Sequence, residues 1–399
     1  MARHAHETQA AAQAQRVAFS EIFGPGEDPR IFFAPGRVNL MGAHLDYNGG
    51  PVMPMAINRG TFIAARRRTD GKLRMASTLE AGEFIGEVTT LARDNPRRTG
   101  TWADYPLGVA LGLLAAEPAE PVGLDLLFGG NLPVGAGLSS SASICVGTAL
   151  ALDAMWGLQS PPMDRVHAAL RSEREFVGVR CGIMDPYAVG LARPAHLLWL
   201  DCKDASHLHL PLDTERLAIA VADTGVRREL AQGEFNQRVS ECGQAFRHLA
   251  PHVAGATCLR DIPFEVLLEQ RTELEESVAR RAEHVIREVE RTFRARDSLL
   301  AGKPAGFGLE MTNAHASLRE LFQVSCPELD TLVHSATALD FVAGSRLTGA
   351  GFGGCTVIIF DREREDELRA RLSEDFRARH GTLPTVECFE GDLGPRELS

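Results

Sequence analysis

Four short stretches of this 399-residue chain hold residues whose types and spacing could bind and transfer a phosphoryl group. In LPVGAGLSSSAS (132–143), Pro133, Gly135 and Gly137 make a small-residue turn that runs through Leu138 into Ser139, Ser140 and Ser141, where a helix begins. Glycines permit close backbone approach, the first-turn amides of a helix point outward, and the helix dipole favours negative charge there. The three hydroxyls can add donors to a phosphate or ligands to Mg²⁺. No Gly-Lys-Ser/Thr follows, so this is not a Walker loop, and the plain alternative is a serine-capped helix after a tight turn. A second glycine-rich turn, TGAGFGGC (348–355), includes Gly349 and Gly351 and could line the other side of a nucleotide pocket. Taken alone it reads equally well as a structural β-turn. In APGRVNLMGAHLDYNGG (34–50), Arg37, His44 and Asp46 occupy a turn-rich segment between strands. Polar groups on a loop held by a sheet suit a hydroxyl-rich ligand, and an arginine there can stabilise charge on a transferring phosphoryl group. The fourth stretch, CGIMDPYAVG (181–190), carries Asp185, a candidate acid or base that could also simply cap a turn ahead of Pro186.

The elements that must position these residues follow from hydrophobic period and turn chemistry. Residues 8–23 read as an amphipathic helix, and 30–42 as a strand broken into a turn by Pro35 and Gly36. Segments 51–68, 72–77 and 83–90 read as paired antiparallel strands, and 122–157 as a strand, a loop and an Ala-rich helix starting near Ser139. The Glu/Arg-dense stretch 264–302 is expected to be helical, with its charges forming a solvated face. After it, 345–360 joins a glycine-rich turn to an apolar strand, and 362–376 reads as a closing helix. The length suggests two packed domains, 1–205 and 206–399.

Composition narrows the partners. With 42 basic and 53 acidic side chains the formal charge is −11, which opposes nucleic-acid binding and requires any nucleotide to be held locally by amides, a helix terminus or a metal ion. The eight cysteines are scattered without metal-ligand spacing, and neither a secretion signal nor an apolar run of membrane-spanning length is visible, so a cytoplasmic, non-membrane protein is expected.

PGRVNLMGAHLDYNGG, LPVGAGLSSSAS, CGIMDPYAVG and LTGAGFGGC, in this order and at these separations, resemble the galactokinase branch of the GHMP small-molecule kinases. Further matches lie at 102–109, 172–179, 223–238 and 311–333. The resemblance implies a two-domain α/β fold of the α+β type, with mainly antiparallel sheets and the active site in the interdomain cleft. It implies ATP and Mg²⁺ as cofactors, a small sugar as acceptor, and a monomer as the expected state. It puts the triphosphate on the serine loop, Mg²⁺ on Ser140 and Glu173, and catalysis on Asp185, which accepts or orients the proton of the anomeric hydroxyl. Arg37 would stabilise the transferring phosphate, and Ala43, His44, Asp46, Gly182, Asp185 and Phe235 would meet the sugar.

Departures from the family pattern bear on which sugar. Galactokinases carry an acidic residue before the histidine, accepting a hydrogen bond from the carbon 6 hydroxyl, and here Ala43 stands there. Losing that acceptor costs on the order of 1 kcal/mol or more and removes repulsion toward a carboxylate. The galacturonokinases resemble this loop, with Gly-Ala-His, and Phe235 replaces a sugar-contacting tyrosine. Galacturonate is therefore the first expectation, galactose the second and L-arabinose the third. A non-catalytic sugar sensor is the alternative of a different class. Pro186 replaces a glutamine next to the catalytic aspartate, and Asn313 and Ala350 also depart from the pattern without an evident physical effect.

Overall fold

The computed structural model describes every residue except 1, 81, 88–96, 116–121, 134–136, 180, 228–230 and 399. Short apolar runs bounded by Gly, Pro and Asp become thirteen described strands. They are β1 (Arg30–Asn39), β2 (Pro51–Val52), β3 (Pro54–Arg68), β4 (Lys72–Ser77), β5 (Glu83–Glu87), β6 (Gly123–Gly130), β7 (His196–Asp201), β8 (His207–Pro211), β9 (Leu217–Asp223), β10 (Val342–Thr348), β11 (Cys355–Asp361), β12 (Thr385–Phe389) and β13 (Arg396–Leu398). The first sheet is ordered β13-β1-β3-β6-β4-β5, antiparallel except where β4 lies parallel to β6. A four-stranded antiparallel sheet, β10-β11-β9-β12, builds the C-terminal half, and β2, β7 and β8 form a small third sheet.

The helices that matter for the site are α1 (Ala2–Phe23), α2 (Asp104–Leu114), α3 (Ser140–Trp156), α4 (Pro162–Arg171), α5 (Met184–Gly190), α6 (Ala231–Leu249), α7 (Phe264–Gln270), α8 (Glu276–Leu300), α9 (Pro304–Ser317), α10 (Pro327–Thr337) and α11 (Glu365–His380). Helix α3 packs on the first sheet because its residues are small. A Cβ on Gly147 would already touch Ile63 and Ala34 at 3.0 and 3.1 Å. The buried Ser143 hydroxyl donates to the Ala34 carbonyl at 2.7 Å and to Thr61 Oγ1 at 2.9 Å, and accepts from the Thr61 amide at 3.1 Å. Phe32, Ile63, Leu126 and Phe128 lie buried with Val146 and Leu152, each contributing on the order of 1.5–3 kcal/mol by leaving water. The start of α3 is thereby fixed against β1, which carries Arg37.

Several sequence expectations are corrected. Pro35 and Gly36 do not end the first strand, since β1 runs on to Asn39 with a register shift between these two residues. A bulge tolerates the missing proline amide, and Gly36 is needed because a Cβ there would lie 2.6 Å from the Leu138 carbonyl oxygen. The strand expected over 83–90 reaches Glu87, and 88–90 lie outside the described residues. The helix expected over 264–302 is broken between α7 and α8 by a 3₁₀ turn at Arg271–Glu273. Its charges are not only a solvated face: Arg281, Glu288 and Arg291 of α8 are buried because they pair with each other's neighbours and with backbone groups of other elements. Helix α11 does not close the chain either. Two strands follow it, and β13 returns to pair with β1.

The halves share a core. Ala43, Leu45 and Val52, which flank the turn after β1, are buried with Cys242 of α6 and Val285 and Val289 of α8. The N-terminal sugar-loop candidate thus rests on C-terminal helices, leaving a cleft between the two layers.

Candidate active site

Arg37 leaves β1 and forks onto Asp185 of α5, with Nε 2.8 Å from Oδ1 and Nη2 2.7 Å from Oδ2, while Nη1 donates to the Gly137 carbonyl at 2.6 Å. This two-pronged geometry fixes the planes of both groups. Ser139 also donates its hydroxyl to Asp185 Oδ2. Ser139 is not a helix cap, since it makes no capping hydrogen bond and takes a left-handed conformation at φ 59°. The Arg37 amide donates to the Leu138 carbonyl at 3.0 Å, tying the loop before α3 to the strand.

Two cavities meet at this pair. One, of about 410 Å³, is bounded by Pro133, Gly137, Ser139, Ser140, Ser141 and Gly349, and Leu138 also lines it. The first-turn amides of α3 open into it, as an anion site requires. Gly137 and Gly349, both at positive φ, face each other so closely that a Cβ on Gly137 would sit 3.5 Å from the Gly349 Cα. The two glycine-rich turns therefore do form one cradle. Gly135 lies outside the described residues. Gly351 does not line either cavity; it is needed where a Cβ would collide with the Val324 carbonyl oxygen at 2.3 Å.

The second cavity, of about 230 Å³, is of monosaccharide scale and shares Arg37, Asp185, Gly349 and Ala350 with the first. Ala43, His44, Asp46, Gly182 and Phe235 all line it. Asp46 rests against Gly182, where any Cβ would meet Asp46 Oδ2 at 2.1 Å. Burial pushes the Asp46 carboxyl up to about 6, and the Asp185 charge adds to the rise. His44 sits among Phe235, Phe322 and Tyr47, with Nδ1 3.0 Å from the Tyr47 hydroxyl. Burial pulls its imidazole down to about 3, helped by the Arg346 and Arg238 charges, so it stays neutral.

Glu173 lies on a π-helical turn, Ser172–Val177, that follows α4. Its carboxyl is pushed up to about 7, first by burial and further by the Asp185 charge, against a Ser141 hydrogen bond that pulls it down. Glu173 Oε2 has no partner among the described residues. An orphaned carboxylate oxygen beside the serine cluster suits a divalent cation. Among the described residues no three His, Cys, Asp or Glu side chains gather as a metal site, which fits an ion held chiefly by phosphates with one or two protein ligands.

Sequence reasoning missed Asn39, Tyr47, Phe322 and Arg346. Asn39, Tyr47 and Arg346 line the sugar-sized cavity, and Phe322 packs on His44 from behind. The available signal for Arg346 was a lone charge in an apolar strand, two residues before the second glycine turn. No described helix is long and apolar enough to cross a membrane.

Comparison with known proteins agrees with this geometry. Residues 17–67 match the galactokinase galactose-binding signature, 104–193 the GHMP kinase N-terminal domain and 295–378 the GHMP kinase C-terminal domain. A galactokinase of Chloroflexus aggregans is 40% identical over 94% of this chain and 95% of its own, and one of Bacillus subtilis is 36% identical over 95% and 97%. The crystal structure of Lactococcus lactis galactokinase complexed with galactose superposes with a TM-score of 0.90 at 29% identity, covering 97% of this chain and 99% of that one. The mevalonate kinase of Methanococcus jannaschii, at 20% identity, 92% and 100% coverage and a TM-score of 0.66, shares the fold.

Proposed function

The chain belongs to the galactokinase family of the GHMP kinases and is a sugar kinase with the two-domain fold of that family, and from this premise we propose that it transfers the γ-phosphoryl group of ATP to the anomeric hydroxyl of D-galactose. The observation that carries the reading is the junction of the two cavities at Arg37 and Asp185. A nucleotide phosphate lying on the start of α3 and a sugar held by Asp46 and His44 would meet there. The expectation that galacturonate precedes galactose finds no support among the relatives, which are named galactokinases, so galactose takes first place.

In this reading the residues divide the work. Asp185, held by Arg37 and Ser139, accepts or orients the proton of the attacking hydroxyl. Arg37 spends three N–H groups on Asp185 and Gly137, and its remaining two can face the transferring phosphoryl group. The cradle of Pro133, Gly137, Leu138, Ser139, Ser140, Ser141 and Gly349 would take the triphosphate. Glu173 and Ser140 would hold Mg²⁺, which when bound neutralises phosphate charge. Asp46 reads sugar hydroxyls, and the apolar wall of Phe235 excludes water.

Two further points rest on weaker support. The division near residue 205 falls in the turn between β7 and β8. A cytoplasmic setting is supported by eight cysteines that are all free. The deciding experiment measures ADP release with galactose and identifies the product by phosphorus NMR. Absence of a galactose 1-phosphate signal, with folded protein and saturating Mg²⁺ and ATP, would overturn the function.

A further inference from the structure

Behind His44 the sugar-sized cavity meets a cluster of buried charges that the phosphoryl-transfer chemistry does not use. Four guanidinium groups, Arg238, Arg281, Arg291 and Arg346, are buried there. Glu241 lies 3.4 Å from Arg238 and 2.7 Å from Arg281, and Glu288 lies 2.8 Å from Arg291 while its other oxygen accepts from the Gly42 amide at 3.3 Å. Each buried carboxylate is therefore committed to other arginines.

Arg346 is left over. It is fully buried on β10 and lines the cavity together with Ala43, Asn39 and His44. One of its nitrogens, Nη2, donates to the Asn39 carbonyl at 2.8 Å, whereas Nε and Nη1 have no partner among the described residues. Asn39 Oδ1 and His44 Nε2 beside it are also unpartnered. A buried cation with unmet donors is costly, and a fork of N–H groups matches the two oxygens of a carboxylate. Burial already pulls this guanidinium down to about 10, with only the committed Glu288 opposing the shift.

The opposite end of the cavity has the reverse sign. Asp46 and Asp185 stand there with Arg37 between them, and Glu173 lies nearby. A ligand that presents neutral hydroxyls to the Asp46 end and an anion to the Arg346 end would match both. Ala43 leaves the second end free of any carboxylate from the protein itself.

We propose that Arg346 is a specificity-determining residue that receives the carbon 6 substituent of the sugar, and that the site also phosphorylates a galactose-configured uronic acid, D-galacturonate, whose carboxylate partners the unmet Arg346 donors. The phosphoryl group passes from ATP to the oxygen on carbon 1, the oxygen to the γ-phosphorus bond forms as the β–γ bridge breaks, and the hydroxyl proton goes to Asp185. The carboxylate takes no part in the bond changes. This inference rests on the sugar 1-kinase reading and deepens it at one atom of the substrate.

The test compares kcat/KM for D-galactose and D-galacturonate at fixed Mg²⁺ and ATP in the full-length protein, in Ala43→Glu and in Arg346→Met. The expected result is turnover of both sugars by the unaltered protein, within about tenfold of each other. In Ala43→Glu, which offers Arg346 a carboxylate from the protein and repels a second, the galacturonate-to-galactose ratio is expected to fall by about fiftyfold or more, through KM rather than kcat. Arg346→Met should lower the same ratio. If that variant does not fold, Ala43→Glu and the unaltered protein still decide the matter. Turnover of galactose with none of galacturonate overturns the inference and leaves the sugar kinase intact. Turnover of neither overturns both. A ratio unchanged by Ala43→Glu overturns the assignment of the carboxylate to Arg346.

Discussion

Replacing Glu173 with glutamine removes a buried charge while keeping the shape of the side chain, and it should make the ligand-free protein more stable at the pH where the enzyme works. The Glu173 carboxyl is pushed up to about 7 from an ordinary value of 4.5, burial being the main cause. A raised folded-state value means that the folded protein holds this proton more tightly than the unfolded chain. The stabilisation is fully present below about pH 4.5 and is lost as the pH climbs through about 7. At 1.36 kcal/mol per pH unit, that interval converts to a penalty of about 3 kcal/mol by pH 8 and less than about 1 kcal/mol at pH 5. Glutamine never ionises and escapes the penalty. Urea unfolding of both proteins in EDTA should therefore show Glu173→Gln more stable at pH 8 and nearly level at pH 5. The same variant should lose about 10²-fold or more in Mg²⁺-dependent turnover, because a neutral amide is a poor partner for a divalent ion. Equal stabilities at pH 8, or a gap that widens toward pH 5, would refute the claim that this carboxylate is held in readiness for a cation.

Asp185→Asn should lower kcat by about 10³-fold while leaving galactose binding measurable by calorimetry, since the amide keeps the shape but takes no proton; activity above a tenth of the starting value would remove Asp185 from the reaction. Gly182→Ala places a Cβ 2.1 Å from Asp46 Oδ2, so Asp46 must move and the galactose KM should rise about tenfold with the ATP KM unchanged, as steady-state kinetics with each substrate varied will show. Gly308→Ala drives a Cβ to 1.9 Å from the Ala343 carbonyl oxygen where α9 crosses β10. It should cost on the order of 3 kcal/mol in urea unfolding and leave the galactose KM unaltered in protein that remains folded.

What could be read from the chain and what could not divide along a physical line. The phosphate cradle and the Arg37/Asp185 pair were legible because their chemistry is local: glycines at Gly137 and Gly349, hydroxyls at the start of α3, and an aspartate at the start of α5 each declare themselves within a few residues. The alternating runs of β3 and β4 were legible for the same reason. β13 was not, since three residues carry no period and its partner β1 lies more than 350 positions away. The charges of α8 misled for a related reason. A helical repeat of Glu and Arg reads as solvated unless the partners are known, and those partners are remote: Arg281 pairs with Glu241, and Glu288 accepts from Gly42. Arg346, on yet another element, holds the carbonyl of Asn39 at the end of β1. Through these contacts C-terminal side chains anchor both ends of the turn that carries Ala43 and His44, while β1 itself carries Arg37. A displacement of α8 or β10 must therefore be felt where the sugar binds, and the acceptor pocket, unlike the phosphate cradle, is the property of both halves of the chain.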